Sequence, residues 1–381
     1  MVRKNPSTAL PWLDLLRFLA AFAVLVSHAR QMSFVEYGAL PEDTHTVAVR
    51  LFFAMTRLGH ESILIFFVLS GFLVGGKLLD RTQKGDFNVA SYFLDRSVRL
   101  FVPLIPALLL TYIVGAVVSE PVSIFQFVGA LLHVQGVLVD YPEANGSLWT
   151  LAYEGWFYIL AGFAALTLMK SKRRSAYFIA LIAALCVFTK LDPVYLFCWL
   201  IGAISFLGSD GRKFSRARFC SSIAIFTVSI FFIQTGKATV SLERIIPVPP
   251  IDVSRILFCT AACFMIQQLV LIVPTSTPAK FVNSMGTRLA AFSYTLYLVH
   301  YPVLVAFGYA GWARASTVNV TTVTQYFVQV LTCLAVAYAF YLPFERNTDA
   351  IKHWIKDRYF PLPKKPEAHA PAASHATEIL K

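Results

Sequence analysis

Arg17 and His28 stand eleven residues apart in the apolar run LDLLRFLAAFAVLVSHA. Eleven helical residues turn through about 1100°, so the two share a face to within about 20° and differ in height by about 16 Å. A charge inside a membrane-crossing segment costs about 2.5 to 3.5 kcal/mol on insertion scales, so such residues face protein or water and mark candidate sites. Imidazole can move a proton near neutral pH, and a guanidinium can hold an anion. The structural alternative pairs Asp14 with Arg17 and satisfies His28 with a carbonyl.

Two later segments carry similar chemistry. In GSLWTLAYEGWFYIL, Ser147, Leu151, Glu154 and Tyr158 recur at helical spacing, and Glu154 is the one acidic residue embedded there. In RLAAFSYTLYLVHYPVL, Ser293, Tyr297 and His300 follow the same rule. Each alone could be a helix-helix contact. With His28, Glu154 and His300 expected at similar depth, one polar pocket explains them better. Arg96 and Arg99, one turn apart in DRSVRLFVP, could hold phosphate through bidentate forks, or could serve as ordinary cytoplasmic anchors.

These residues require elements that cross a bilayer. Of the 381 residues, 57% are hydrophobic and 14% are charged, against roughly 25% charged in a soluble domain. Ten spans are expected, near 11–28, 58–77, 100–118, 147–169, 175–190, 193–208, 219–236, 252–273, 288–309 and 323–344. Most of the 33 Lys and Arg then fall on one side, which places both termini in the cytoplasm. The net charge of +12 is explained by this asymmetry and not by a nucleic-acid surface.

The expected fold is therefore an all-α integral membrane bundle of about ten helices over residues 1–360, followed by a disordered cytoplasmic tail at 361–381. The apolar stretch 122–138 is read as an outer-face or re-entrant helix, since a full span would invert the charge asymmetry. Phe18 to Val26 could form a signal-peptide core, but Asp14 and Arg17 lie inside the apolar run and favour an uncleaved span. The six cysteines show neither a disulfide framework nor metal-ligand spacing, so no metal site is expected.

Five blocks in order, LDLLRFLAAFAVLVSHA, FFVLSGFL, RSVRLFVP, GSLWTLAYEGWFYIL and FSYTLYLVHYPV, resemble the integral-membrane acyltransferase family 3, bacterial enzymes that O-acylate surface glycans. The C-terminal LPFERN departs from the family's usual pattern, in which Pro follows soon after Glu. The resemblance implies a multi-pass protein of the bacterial inner membrane and an acyl-CoA donor, acetyl-CoA by family default, used as a co-substrate. It implies as acceptor a hydroxyl of a glycan or lipid-linked saccharide at the outer face.

On that implication His28 is the general base, with Glu154 and His300 orienting it or the acceptor. Arg17, Arg96 and Arg99 hold the donor, while Ser147, Trp149 and Tyr297 are the expected substrate-binding residues. Trp149 could stack on a sugar face or simply belong to an interfacial aromatic belt. The competing class is a transporter or flippase, which also buries Arg, His and Glu along a path. The halves of the chain show no internal repeat, and the Arg17 to His28 spacing with the arginine pair is better explained by acyl-CoA use.

Overall fold

The structure is a computed structural model that describes residues 10–208, 213–235 and 250–359. The expected tail at 361–381 lies outside the described residues. Among those described the chain is helical apart from its connections and two isolated β-bridges.

α1 (Pro11–Ser33) opens with Pro in its first turn, where the missing N–H removes no helical bond. The run that could have been a signal core is the middle of α1, packed between α3 and α13. Outside it comes the short α2 (Val47–Met55). α3 (Gly59–Ser70) passes through a π-helical turn, Gly71–Gly76, into α4 (Lys77–Gln83). α5 (Val89–Val117) is capped by Asn88, whose side chain accepts from the Ser91 N–H, and it carries Pro103 and Pro106 inside.

α6 (Ile124–Leu131) is closed by a capping box of Ser123 and Gln126. Its eight residues rise only about 12 Å, too little to cross a bilayer, so 122–138 is not a full span. A 3-10 segment, Glu143–Leu148, leads into α7 (Trp149–Leu168). α8 (Arg174–Cys186), α9 (Pro193–Leu207), α10 (Arg216–Thr235) and α11 (Ile251–Val270) follow. α12 (Thr277–Ala290), α13 (Ser293–Tyr309), α14 (Val320–Tyr341) and α15 (Thr348–Tyr359) complete the described chain.

Seven helical stretches are long and apolar enough to cross a membrane, or eight if α12 and α13 form one span. The expected ninth span is this bent pair, turned by 53° at its junction. The expected spans at 175–190 and 193–208 are apolar but shorter helices, Arg174–Thr189 and Pro193–Leu207. All ten expected segments thus fall on helices, while length and composition support a multi-pass membrane protein with seven or eight crossings.

Two apolar cores hold the bundle. One gathers Leu64, Phe67, Phe157, Trp199 and Phe258 from α3, α7, α9 and α11. The other gathers Leu25, Leu104, Leu296 and Tyr326 from α1, α5, α13 and α14, and Phe66 packs against both. In a membrane, helices associate through close packing because lipid is as apolar as leucine, so small residues mark the tightest seams. The π-turn and α9 meet at backbone distance. A Cβ on Gly71 would collide with the Trp199 carbonyl, and one on Gly202 with the Val68 carbonyl.

Gly71→Ala is therefore expected to destabilise the detergent-solubilised chain by about 1 to 3 kcal/mol through overpacking. Gly308, whose Cβ would meet open space, should accept Ala without loss. Equal thermal midpoints for the two variants would contradict this seam.

Candidate active site

The site is organised by a break in α13. Pro302 lacks an N–H, and its ring pushes on the carbonyl four residues earlier, that of Leu298. In a membrane bundle such a carbonyl needs a replacement donor. Asn145 supplies the bond instead: its Nδ2 donates to the Leu298 oxygen at 3.0 Å and to Thr111 Oγ1 on α5 at 3.0 Å. Its Oδ1 accepts from Ser147 Oγ at 2.7 Å. To reach that position Asn145 leaves helical geometry, at φ −147° and ψ 73°, which ends the 3-10 segment's regularity just before α7 begins. The start of α7 is thereby fastened to α13 beside His300.

His300 is 1% exposed, and its Nε2 lies 2.8 Å from His28 Nδ1. The two rings are nearly parallel, with centroids 5.2 Å apart and planes 5° apart. His300 Nδ1 lies 3.0 Å from the Leu296 carbonyl oxygen. A carbonyl can only accept, so His300 carries its proton on Nδ1 and its Nε2 is the acceptor. His28 must then donate from Nδ1, and this network assigns the lone pair of His28 to Nε2. The edge of Tyr301 closes on His28 at 5.3 Å between centroids.

Below this pair lies a cavity of about 540 Å³. Tyr297 and Thr150 stand at one end of its wall, and Lys77, Arg81, Arg96 and Arg99 stand toward the other. Tyr297 marks the approach to the histidines, with its ring 5.8 Å from that of His300. Its hydroxyl lies 2.7 Å from Thr150 Oγ1 and donates to the Ser147 carbonyl at 3.0 Å. Between the two ends, Tyr158 donates to Glu154 Oε1 at 2.6 Å, and the Arg96 guanidinium lies 5.5 Å from the centre of the Tyr158 ring.

Three buried polar atoms of residues in this wall have no hydrogen-bond partner in the described structure: Arg17 Nε, Arg96 Nε and the Tyr294 hydroxyl. Such groups cost about 1 to 3 kcal/mol each when unmet. Asp95, also in the wall, pairs with Lys352 of α15 at 3.3 Å. The glutamate of LPFERN has its own task. Glu345 accepts from the Thr295 N–H at 3.0 Å and from its hydroxyl at 2.6 Å, which caps the free start of α13 beyond the bend.

A family model described as an acyltransferase domain matches residues 10–342. The chain belongs to this acyltransferase family. An O-acetyl transferase of Shigella phage Sf6 is 28% identical over 206 residues, covering 50% of this chain. The match takes in 53% of that relative, so the chain spans about half the length of the curated relative it matches. No solved structure matches the chain.

Within this chain the expected site residues divide into three groups. His28 and His300 form the bonded pair. Arg17, Glu154, Arg96, Arg99 and Tyr297 share the cavity wall. Arg17 also keeps the structural partner considered for it, Asp14, at 3.0 Å. The structure brings Ser147 and Trp149 to neither place. Ser147 is buried and spends its hydroxyl on Asn145, while Trp149 packs edge-on against Tyr153 at 5.7 Å.

Among the described residues no hydrogen bond joins Glu154 to His28. His300, and not Glu154, is bonded to His28, because α13 and α1 are direct neighbours whereas Glu154 faces the cavity. Asn145 and Thr150 were not singled out from the sequence. The available signal was Pro302 two residues after His300, since a proline there demands a donor from another helix.

Removing that donor with Asn145→Ala should cost about 1 to 3 kcal/mol as buried groups lose partners. Much of that cost should vanish in a Pro302→Ala background, where the N–H returns to Leu298. A double-mutant cycle on thermal unfolding checks this, and strictly additive losses would show the two residues to be uncoupled.

Proposed function

We propose that this acyltransferase moves an acyl group, acetyl by its similarity to an O-acetyl transferase, from cytoplasmic acyl-CoA to a hydroxyl of a surface or lipid-linked glycan at the outer side of a bacterial inner membrane. The observation that carries the reading is the cavity itself, with cations at one end and a wall that approaches an oriented histidine pair at the other. The one-sided distribution of Lys and Arg supports a cytoplasmic cationic end. It also supports cytoplasmic termini and ten crossings, if the two shorter apolar helices each span a locally thinned bilayer.

The donor's phosphates fit Lys77, Arg81, Arg96 and Arg99, since guanidinium forks match phosphate oxygens. Arg17, Tyr294 and the Glu154–Tyr158 pair flank the middle, where polar side chains suit the amides of a pantetheine arm. The thioester then lies beneath Tyr297. The acceptor hydroxyl gives its proton to His28 Nε2 as its oxygen attacks the thioester carbon. His28 becomes an imidazolium whose Nδ1–H already points at His300 Nε2, so the new charge meets a prepositioned acceptor, as a triad's third member provides. The departing thiolate recovers the proton from His28.

Complementing a deletion strain tests this. NMR of its surface glycan should show an O-acyl ester that disappears on deletion and returns with the wild-type gene. At matched membrane expression His28→Ala should not restore it, and a fully restored ester would remove His28 from the base role. In initial-rate measurements His300→Ala should slow transfer by about 10² to 10⁴-fold, the range of general-base catalysis. Arg96→Ala and Arg99→Ala should instead raise KM for acyl-CoA with a smaller change in kcat.

A further inference from the structure

A base and a donor site leave one charge unattended: the thioester carbonyl oxygen becomes anionic as the acceptor oxygen attacks. In a dry site such an oxygen needs a hydrogen-bond donor aimed at it, and removing one donor of this kind typically costs about 10² to 10³-fold in kcat. At the end of the cavity nearest the histidines, Phe66 offers only its ring, 6.0 Å from that of Tyr297. The side-chain hydroxyls there are those of Thr150 and Tyr297.

Their hydrogen bonds leave one proton free to move. Thr150 Oγ1 lies 2.7 Å from the Tyr297 hydroxyl and 3.3 Å from the Ser147 carbonyl, and the Tyr297 hydroxyl lies 3.0 Å from that carbonyl. In one arrangement Thr150 donates to Tyr297 and Tyr297 donates to Ser147. Rotating the phenolic O–H away from Ser147 then breaks a single bond and keeps the bond from Thr150, which polarises the phenol and strengthens it as a donor. Packing fixes the ring while the proton turns, since Tyr297 is 8% exposed.

We propose that Tyr297 is a catalytic residue whose hydroxyl turns from the Ser147 carbonyl onto the thioester carbonyl oxygen and stabilises the oxyanion formed there, with Thr150 as the positioning residue behind it. This inference rests on the acyl-transfer reading above. The acceptor oxygen forms a bond to the carbonyl carbon, and its proton passes to His28 Nε2. The carbonyl electron pair moves to oxygen, where the Tyr297 O–H holds it without transferring its proton. Collapse of that oxyanion breaks the carbon–sulfur bond, and the thiolate takes the proton from His28, so ester and free thiol balance thioester and alcohol.

The test uses membrane vesicles carrying the full chain, given radiolabelled acetyl-CoA, with alkali-labile label in the glycan and lipid fractions as readout. Tyr297→Phe at matched protein should lower kcat about 10² to 10³-fold, the usual effect of losing one such donor, with KM for acetyl-CoA within about threefold of wild type, since that donor engages only the transition state. Thr150→Val should give a smaller loss of kcat in the same sense.

Replacement of Tyr297 by 3,5-difluorotyrosine keeps the ring in place and makes the hydroxyl a stronger donor. At a pH where that phenol stays protonated, kcat should rise. A Tyr297→Phe enzyme with kcat within threefold of wild type would overturn the proposal, as would a loss confined to KM. If Tyr297→Phe does not fold, the fluorinated enzyme decides, and an unchanged kcat overturns the proposal. Wild-type vesicles that incorporate no label would instead defeat the acyl-transfer reading on which it stands.

Discussion

Everything near the histidine pair depends on one carbonyl. Leu298 loses its helical partner to Pro302, and the bundle has to supply another donor. The amide of Asn145 meets it, and because that amide also binds Thr111 and Ser147, a single residue ties α13 to α5 and to the start of α7. The position of α7 then sets Thr150 against Tyr297 and aims Glu154 into the cavity. A local defect in one helix has become the datum from which two others are placed.

The same arrangement separates two environments that a one-pocket picture would merge. His28 and His300 address each other across α1 and α13, outside the cavity wall, while Arg17 and Glu154 lie within it. The Tyr297, Thr150 and Ser147 cluster stands where the cavity wall meets the histidine pair. Arg17 and His28 share a helix face yet meet different neighbours, the first in the cavity wall and the second against His300.

How much of this was legible in the sequence follows from the range of the forces involved. Helix periodicity is local, so the placement of Arg17 and His28 on one face of α1, and of Tyr158 one turn from Glu154, could be read directly. The His28 to His300 bond joins residues 272 positions apart and depends on which helices become neighbours. The bend between α12 and α13 has no glycine or proline to announce it. Ser293 and the distant Glu345 satisfy the groups it exposes, so the stretch reads as one continuous span. Ser147 lies on the expected polar stripe, yet its hydroxyl serves the defect in α13. Only the pairing of Pro302 with an asparagine in the turn before α7 could have revealed that.

The glycine seam between the π-turn and α9 has a mechanical meaning. Side chains at an ordinary helix contact can change rotamer and absorb a displacement, but carbonyls resting on Gly71 and Gly202 have no such slack. The part of the cavity wall carried by α3 and the π-turn therefore moves with α9 as one stiff body. The wall carried by α5 has no such brace, and Pro103 and Pro106, just beyond Arg96 and Arg99, each remove a backbone donor from that helix. The cavity is built like a vice with one fixed jaw, and two of its four cations, Lys77 and Arg81, follow directly from that jaw on α4.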